Sequence, residues 1–321
     1  MVCRPTESSS FQLDTEMKKD KLVSFTQRFT SHLGYAPPAL RPQFAETVAT
    51  GDPIAHINYA ASIGMSGVFD PWVLRRNASE IAEMAETLID TGLLCSALVA
   101  VPLELVATPV WVDRSRSGRR LLEQHVRAAA QTASTLGSTQ LAVLVAGDGI
   151  RTYEQQLPDA AASLGEMSRL SGDFGVELTI EPMIVLPNML LRNMAAAVEA
   201  VQLADSAGIG IIFDTGHVSV TDGDLLRAYD TAREHISAVQ VVDMPGRVEP
   251  GAGNLPIVDL IATAISHGYT GLIDLEHYWL DSSLTGEQTG LERLRAFDAL
   301  VDAAVATRTN TPVVEQTQET T

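Results

Sequence analysis

From residue 22 onward the chain alternates between two hydrophobic rhythms. Short runs dominated by Val, Ile, Leu and Ala are each followed by a longer segment with apolar residues three and four apart, and Gly, Pro or Asp stands at many of the joints. That alternation is the signature of a strand followed by a crossover helix. The predicted strands are Leu22–Thr26, Gly67–Asp70, Leu93–Val101, Gln140–Val145, Leu178–Glu181, Ile211–Asp214, Ala238–Gln240 and Leu272–Glu276. The predicted helices are Pro53–Gly64, Ala78–Thr91, Arg119–Leu136, Pro158–Leu170, Met194–Ala207, Leu225–Glu234, Ile257–His267 and Leu291–Ala306. Asp52 ahead of Pro53 and Gly92 behind Thr91 act as start and stop signals. Eight such units without a linker predict an α/β fold, a single (β/α)8 TIM barrel over residues 21–306, rather than two smaller domains. The polar stretches 1–20 and 307–321 carry too few apolar residues for a core and are expected to be a disordered leader and tail.

Four of the predicted strands close on an oxygen-bearing side chain: Glu181, Asp214, Gln240 and Glu276, spaced by 33, 26 and 36 residues. In a barrel the C-terminal ends of the strands converge on one pocket, so residues far apart in sequence can share a ligand. Alternation along each strand sharpens the expectation. If Glu276 faces the barrel axis, Leu272 and Asp274 do too, leaving Ile273 and Leu275 for the helical layer. The same count turns Glu177, Thr179 and Glu181 inward. Four such side chains in one pocket point to one metal ion. Carboxylate and amide oxygens are hard donors, which favours Mg²⁺ or Mn²⁺ over Zn²⁺.

Composition narrows the partners. A formal net charge of −18 and a pI near 4.7 argue against a nucleic-acid or anionic-membrane surface, either of which needs a basic face. A small-molecule substrate is the expected partner, with a homo-oligomer left open. Cys3 and Cys95 are the two cysteines and build neither a disulfide framework nor a thiolate metal site. The leader lacks the apolar stretch of a signal peptide, and no run approaches the roughly 20 apolar residues of a membrane span. A cytoplasmic location is therefore expected. Lys18, Lys19 and Lys21 all precede the predicted strands, so a Schiff base or a lysine phosphate clamp is not available inside the barrel.

The segments Ile180-Glu181-Pro182, Phe213-Asp214-Thr215-Gly216-His217, Val239-Gln240 and Pro245 to Gly253 resemble the sugar phosphate isomerase/epimerase superfamily of xylose isomerase-like TIM barrels. The Gln240 to Gly253 region is most similar to the hydroxypyruvate isomerase family, in which the third metal ligand is a glutamine where ketose 3-epimerases have a histidine. The resemblance covers residues 177–279 well and the N-terminal half in outline. It implies metal ligation by Glu181, Asp214, Gln240 and Glu276, proton transfer by Glu181 and Glu276, and a substrate-oxygen contact from His217. Arg247, in the Gly- and Pro-rich stretch after Gln240, is positioned to clamp a carboxylate, phosphate or hydroxyl pair.

These residues suit an isomerase that moves a proton next to a carbonyl through an enediolate on a small hydroxy-carbonyl substrate. An epimerase or dehydratase on the same barrel and a non-catalytic small-molecule-binding barrel are the alternatives. Endonuclease chemistry fits the acidity and the small ligand set less well. The apolar stretches Met183 to Leu191, Asp70 to Arg76 and Val101 to Asp113 suggest a less polar substrate than a sugar. Trp72 and Trp111 either line the substrate or cap the barrel. His277, of opposite parity to Glu276, is read as rim or packing, and His32, His56, His125, His235 and His267 receive no chemistry.

Overall fold

A computed structural model describes residues 24–35 and 40–309. Its strands are β1 Phe29–His32, β2 Gly67–Phe69, β3 Leu94–Cys95, β4 Leu98–Val99, β5 Gln140–Val143, β6 Glu177–Ile180, β7 Ile209–Asp214, β8 Ile236–Val241 and β9 Ile273–Leu275. The helices are α1 Ala45–Val48, α2 Pro53–Ser62, α3 Ala78–Thr91, α4 Arg116–Leu136, α5 Tyr153–Gly172, α6 Met194–Ala204, α7 Thr215–Thr221, α8 Leu225–Ala232, α9 Ile257–Ser266 and α10 Leu284–Thr309. Every pairing between these strands is parallel, in the order β3-β2-β1-β9-β8-β7-β6-β5-β4. The predicted third strand is interrupted at Ser96-Ala97, so β3 pairs with β2 while β4 pairs with β5. One interrupted strand thus supplies both ends of the sheet, and the eight-stranded barrel closes across it.

The interruption has an occupant. Ser96 turns its hydroxyl inward and donates to Asp274 Oδ2 at 2.6 Å, while Thr30 Oγ1 donates to Asp274 Oδ1 at 2.8 Å. Asp274 is therefore an interior residue, as strand parity requires, and Ile273 and Leu275 are buried on the other face. Burial pushes the Asp274 carboxyl up to about 6 against the lowering effect of hydrogen bonds from Ser96, Thr30 and Gln240.

Several expected boundaries move, each for a local reason. The first strand is Phe29–His32 rather than Leu22–Thr26: Thr30 is the residue that reaches Asp274, and Phe29 is fully buried. Residues 22 and 23 lie outside the described residues. Pro158 is not the start of its helix. The N-cap is Thr152, in a capping box with Gln155, and Pro158 sits inside α5 just past the first turn. α7 and α1 escape the hydrophobic pattern because each is under two and a half turns long. α10 runs from Leu284 to Thr309, so residues 307–309 belong to a helix, whereas 1–20 and 310–321 lie outside the described residues.

The helices coat the barrel through one apolar stripe each. On α4, Leu122, Val126, Ala129, Ala130, Ala133 and Leu136 are buried at helical spacing, and each Leu or Val contributes roughly 1.5–3 kcal/mol by leaving water. Arg114 grips Glu166 with both terminal guanidinium nitrogens, at 3.2 and 2.7 Å, joining the entry of α4 to α5. Among the described residues no helix is long and apolar enough to cross a membrane.

The barrel's entry is held from its end. Asp298 of α10 accepts Thr26 N and Gln27 N, both at 2.8 Å, just ahead of β1. Hydrogen bonds to a charged acceptor contribute about 1.5–3 kcal/mol each, and here both depend on one carboxylate. Asp298→Ala is expected to lower stability by roughly 2–4 kcal/mol, read as a lower urea midpoint with an unchanged denaturant slope. An unchanged midpoint would show that the clamp carries no net stability.

Candidate functional site

The four strand-end residues do meet at the C-terminal mouth. Glu181 follows β6, with its amide bonded to Val143 O, and Glu276 follows β9, with its amide bonded to Val241 O. Asp214 ends β7 and lies directly opposite Gln240 of β8, which in turn lies opposite Asp274. Glu181, Asp214 and Gln240 are buried, and Glu276 is nearly so.

Asp214 carries a second duty. Its Oδ1 accepts the amide of His217 at 2.6 Å, which caps α7 and starts that helix on the last residue of the strand. The short helix swings the His217 ring inward, placing Nε2 3.4 Å from Glu181 Oε1. One ligand atom each from Glu181, Asp214 and His217 then falls within 4.8 Å of the others. His217, expected to touch substrate oxygen, thus also stands among the metal-competent groups. Glu276 is held on the other side, by Arg247.

Arg247 reaches this point through a purpose-shaped loop. Asp243, buried just past β8, accepts the amides of Met244, Gly251, Gly253 and Leu255 at 2.8–3.1 Å. A Cβ on Gly253 would lie 2.4 Å from Asp243 Oδ1, so this glycine makes room for the loop's own anchor rather than for a ligand. Asp243 and Val248 exchange two backbone bonds, and Arg247 takes a left-handed φ of 52°. Its Nη2 lies 3.6 Å from Asp214 Oδ2 and 3.5 Å from Glu276 Oε2. Gly216 permits the approach, since a Cβ there would come within 3.0 Å of Arg247 Nη1.

Three buried oxygens at these strand ends, Asp214 Oδ2, Gln240 Oε1 and Glu276 Oε2, lack a close hydrogen-bond partner, although Asp214 and Glu276 lie near enough to share a proton. Buried acceptors are normally satisfied, and a set of them on neighbouring strand ends fits a cation. Gln240 also lies opposite Asp274 in the sheet and lowers that carboxyl.

The electrostatics separate the carboxyls. Burial, reinforced by the charge of Asp214, pushes Glu181 up to about 8. Burial raises Glu276 as well, with Asp214 adding and Arg247 opposing. For Asp214 burial also opposes ionisation, but His217, Arg247 and the His217 amide outweigh it and hold the carboxyl below its usual range. Burial lowers His217, so its imidazole is neutral at pH 7. Burial and mutual repulsion thus favour protons on the two glutamates and charge on Asp214.

Other residues sort differently from their sequence reading. His32 is not an unpartnered loop residue: it ends β1, buried, with Nε2 bonded to His277 O. His56 bonds Thr50 O, and His267 stacks on Tyr229. His277 packs as expected, edge-on against Trp279. Trp72 donates to Tyr35 O, and Trp111 is wholly buried in the core. Met183, Met189, Leu190 and Leu191 are buried in the same core, so much of that apolar stretch serves packing. Asp243 and Tyr35 were missed. Only the amide-rich Gly/Pro segment after Asp243 hinted that a buried acceptor was needed.

Known proteins share this architecture. A Streptomyces coelicolor protein bearing the name of a hydroxypyruvate isomerase is 30% identical over 161 residues, 48% of this chain and 57% of that protein. A 2-oxo-tetronate isomerase of Haemophilus influenzae is 28% identical over 115 residues, 35% of this chain and 45% of the other. The chain thus spans about half the length of these relatives. The structure of a 3-keto-D-glucoside 4-epimerase from E. coli superposes with a TM-score of 0.67 at 16% identity, covering 85% of this chain and 99% of that one. Residues 57–297 match the xylose isomerase-like TIM barrel family, and the chain belongs to it.

Proposed function

We propose that this protein is a divalent-metal-dependent isomerase that moves a proton between adjacent carbons of a small hydroxy-carbonyl acid. The observation that carries the reading is geometric: Glu181 lies with Asp214 and His217, and Glu276 shares Arg247 with Asp214, so two largely buried glutamates flank one aspartate. A binding barrel has no need of such a pair. The names of the two bacterial relatives support hydroxy-carbonyl acids as the substrate class.

Glu181, Asp214, Gln240 and Glu276 are the residues that would hold the ion, with His217 at hand beside them. When bound, Mg²⁺ or Mn²⁺ supplies positive charge to the carbonyl and hydroxyl oxygens of the substrate. With hydroxypyruvate as substrate, one glutamate removes a proton from C3, and the electron pair becomes the C2–C3 double bond of an enediolate. A proton is then delivered to C2, and the hydroxyl proton passes from the C3 oxygen to the C2 oxygen, giving tartronate semialdehyde. No external oxidant enters, because C3 is oxidised as C2 is reduced. Neutral His217 is placed to donate to a substrate oxygen, and Arg247 orients the substrate carboxylate.

The direct test is incubation of metal-loaded protein with hydroxypyruvate in D₂O, followed by NMR. Deuterium at the exchanging carbon and formation of the aldehyde isomer are expected. Absence of both would remove this substrate pair.

Two further outcomes follow from the site. Glu276→Gln retains an amide oxygen but no proton carrier, and activity should fall beyond the roughly 10²- to 10⁴-fold of lost acid-base help because metal affinity weakens too. Gln240→His should keep a metal site and part of the activity. Near-normal Glu276→Gln with inactive Gln240→His would refute the proton-transfer roles.

The pH dependence of metal affinity has a definite sign. An acid raised to about 8 is protonated below that pH in the free protein, so the proton competes with the ion. Affinity should rise with pH through the range in which Glu181 and Glu276 hold their protons, about tenfold per unit for each proton displaced. Calorimetry with Mn²⁺ from pH 6 to 9 reads both the affinity and the protons released, and a flat profile would contradict a protonated Glu181.

A further inference from the structure

The last register pair between β7 and β8 is Asp214 with Gln240. Beyond it the chain of β7 turns into α7, while β8 runs on to Val241 and is followed by Val242. Val241 O accepts the Glu276 amide and so faces β9, which turns the N–H and C=O of Val242 toward the side that β7 has left. Val242 is wholly buried, and buried backbone groups need partners.

One hydroxyl serves both groups. Thr215 Oγ1 donates to Val242 O at 2.7 Å and accepts Val242 N at 2.9 Å. The side chain thus continues the β7–β8 ladder where the backbone has departed from it. Thr215 is itself wholly buried. A hydroxyl can give and take a hydrogen bond at once, whereas a valine of the same shape can do neither.

This joint lies between the two halves of the mouth. On one side Thr215 is flanked by Asp214 and Gly216, with His217 next along α7. On the other, Val242 leads into Asp243, whose carboxylate gathers the loop that carries Arg247. The two sides touch, because a Cβ on Gly216 would lie 2.8 Å from Val242 Cγ1 and 3.0 Å from Arg247 Nη1. The 3.6 Å separation of Arg247 Nη2 from Asp214 Oδ2 spans the same joint. In a small hydroxy-carbonyl acid the carboxylate is directly bonded to the reacting part, so an error in that span displaces one end or the other.

We propose that Thr215 is a positioning residue: through Val242 and Asp243 it sets the span between the Arg247 guanidinium and the Asp214–His217 pair, and with it the seat of the substrate carboxylate. The identity of the acid rests on the isomerase reading above, whereas the span does not.

Three variants test it. Thr215→Val removes the hydroxyl at nearly constant shape, Thr215→Ser keeps the hydroxyl, and Gly216→Ala loads the same joint from its other side. Calorimetry reads the affinity of each for Mn²⁺ and then, with Mn²⁺ present, for D-glycerate. In Thr215→Val the glycerate affinity should fall about 10- to 100-fold while Mn²⁺ affinity stays within about threefold, and Thr215→Ser should restore the loss. Gly216→Ala should show the same selective loss, and it carries the test if Thr215→Val does not fold. Equal losses of Mn²⁺ and glycerate affinity would mark Thr215 as structural and overturn the proposal, as would an unchanged glycerate affinity. Crystals of the wild type and the two Thr215 variants supply a readout without ligand: Arg247 Nη2 should move away from Asp214 Oδ2 by about 1 Å or more in Thr215→Val and stay in place in Thr215→Ser. An unmoved guanidinium in Thr215→Val overturns the span. A moved guanidinium, together with a wild-type protein that neither binds glycerate nor turns over hydroxypyruvate, retains the span and sinks the isomerase reading instead.

Discussion

The mouth of this barrel concentrates acids out of water, and one guanidinium makes that tolerable. Arg247 faces Asp214 and Glu276 at distances just beyond a tight hydrogen bond, so it offsets charge without using up either carboxylate. Its place depends on Asp243, whose four amide contacts shape the loop, and on Gly253 and Gly216, which leave room for the anchor and the approach. The remaining acids respond by holding protons, which is why burial separates the carboxyls into different states.

Asp214 links that electrostatic arrangement to the backbone. The same carboxylate ends a strand, caps a helix through the His217 amide and turns its other oxygen toward Arg247. Formation of α7, placement of the imidazole and readiness for a ligand are consequently one event rather than three.

Much of this was readable from the chain because barrels place function at a fixed address. Glu181, Asp214, Gln240 and Glu276 each end an apolar run, and parity alone put Asp274 inside, where Thr30 and Ser96 prove to meet it. What escaped depends on contacts rather than on pattern. The split of the third strand at Ser96-Ala97 breaks no hydrophobic rhythm, because both halves are apolar. Pro158 looked like a helix start, whereas the true cap, Thr152 with Gln155, lies six residues earlier. His32 acquires its partners from a segment 245 residues away, a distance that no local periodicity reports. The apolar loops read as a substrate wall because burial in a core and burial against a ligand demand the same residue types.

The lysine-free body of the chain has a bearing on its surface chemistry. Every described cation is an arginine or a histidine, since the last lysine is Lys21. Guanidinium keeps its proton at any pH that proteins survive, so the positive charge of the barrel is fixed and only acids and imidazoles titrate over the working range. Reagents that attack primary amines, whether acylating labels, glycating sugars or amine cross-linkers, find no side-chain target on the barrel. Coupling through lysine would therefore attach this protein by its N-terminal stretch alone and leave the C-terminal mouth of the barrel chemically untouched.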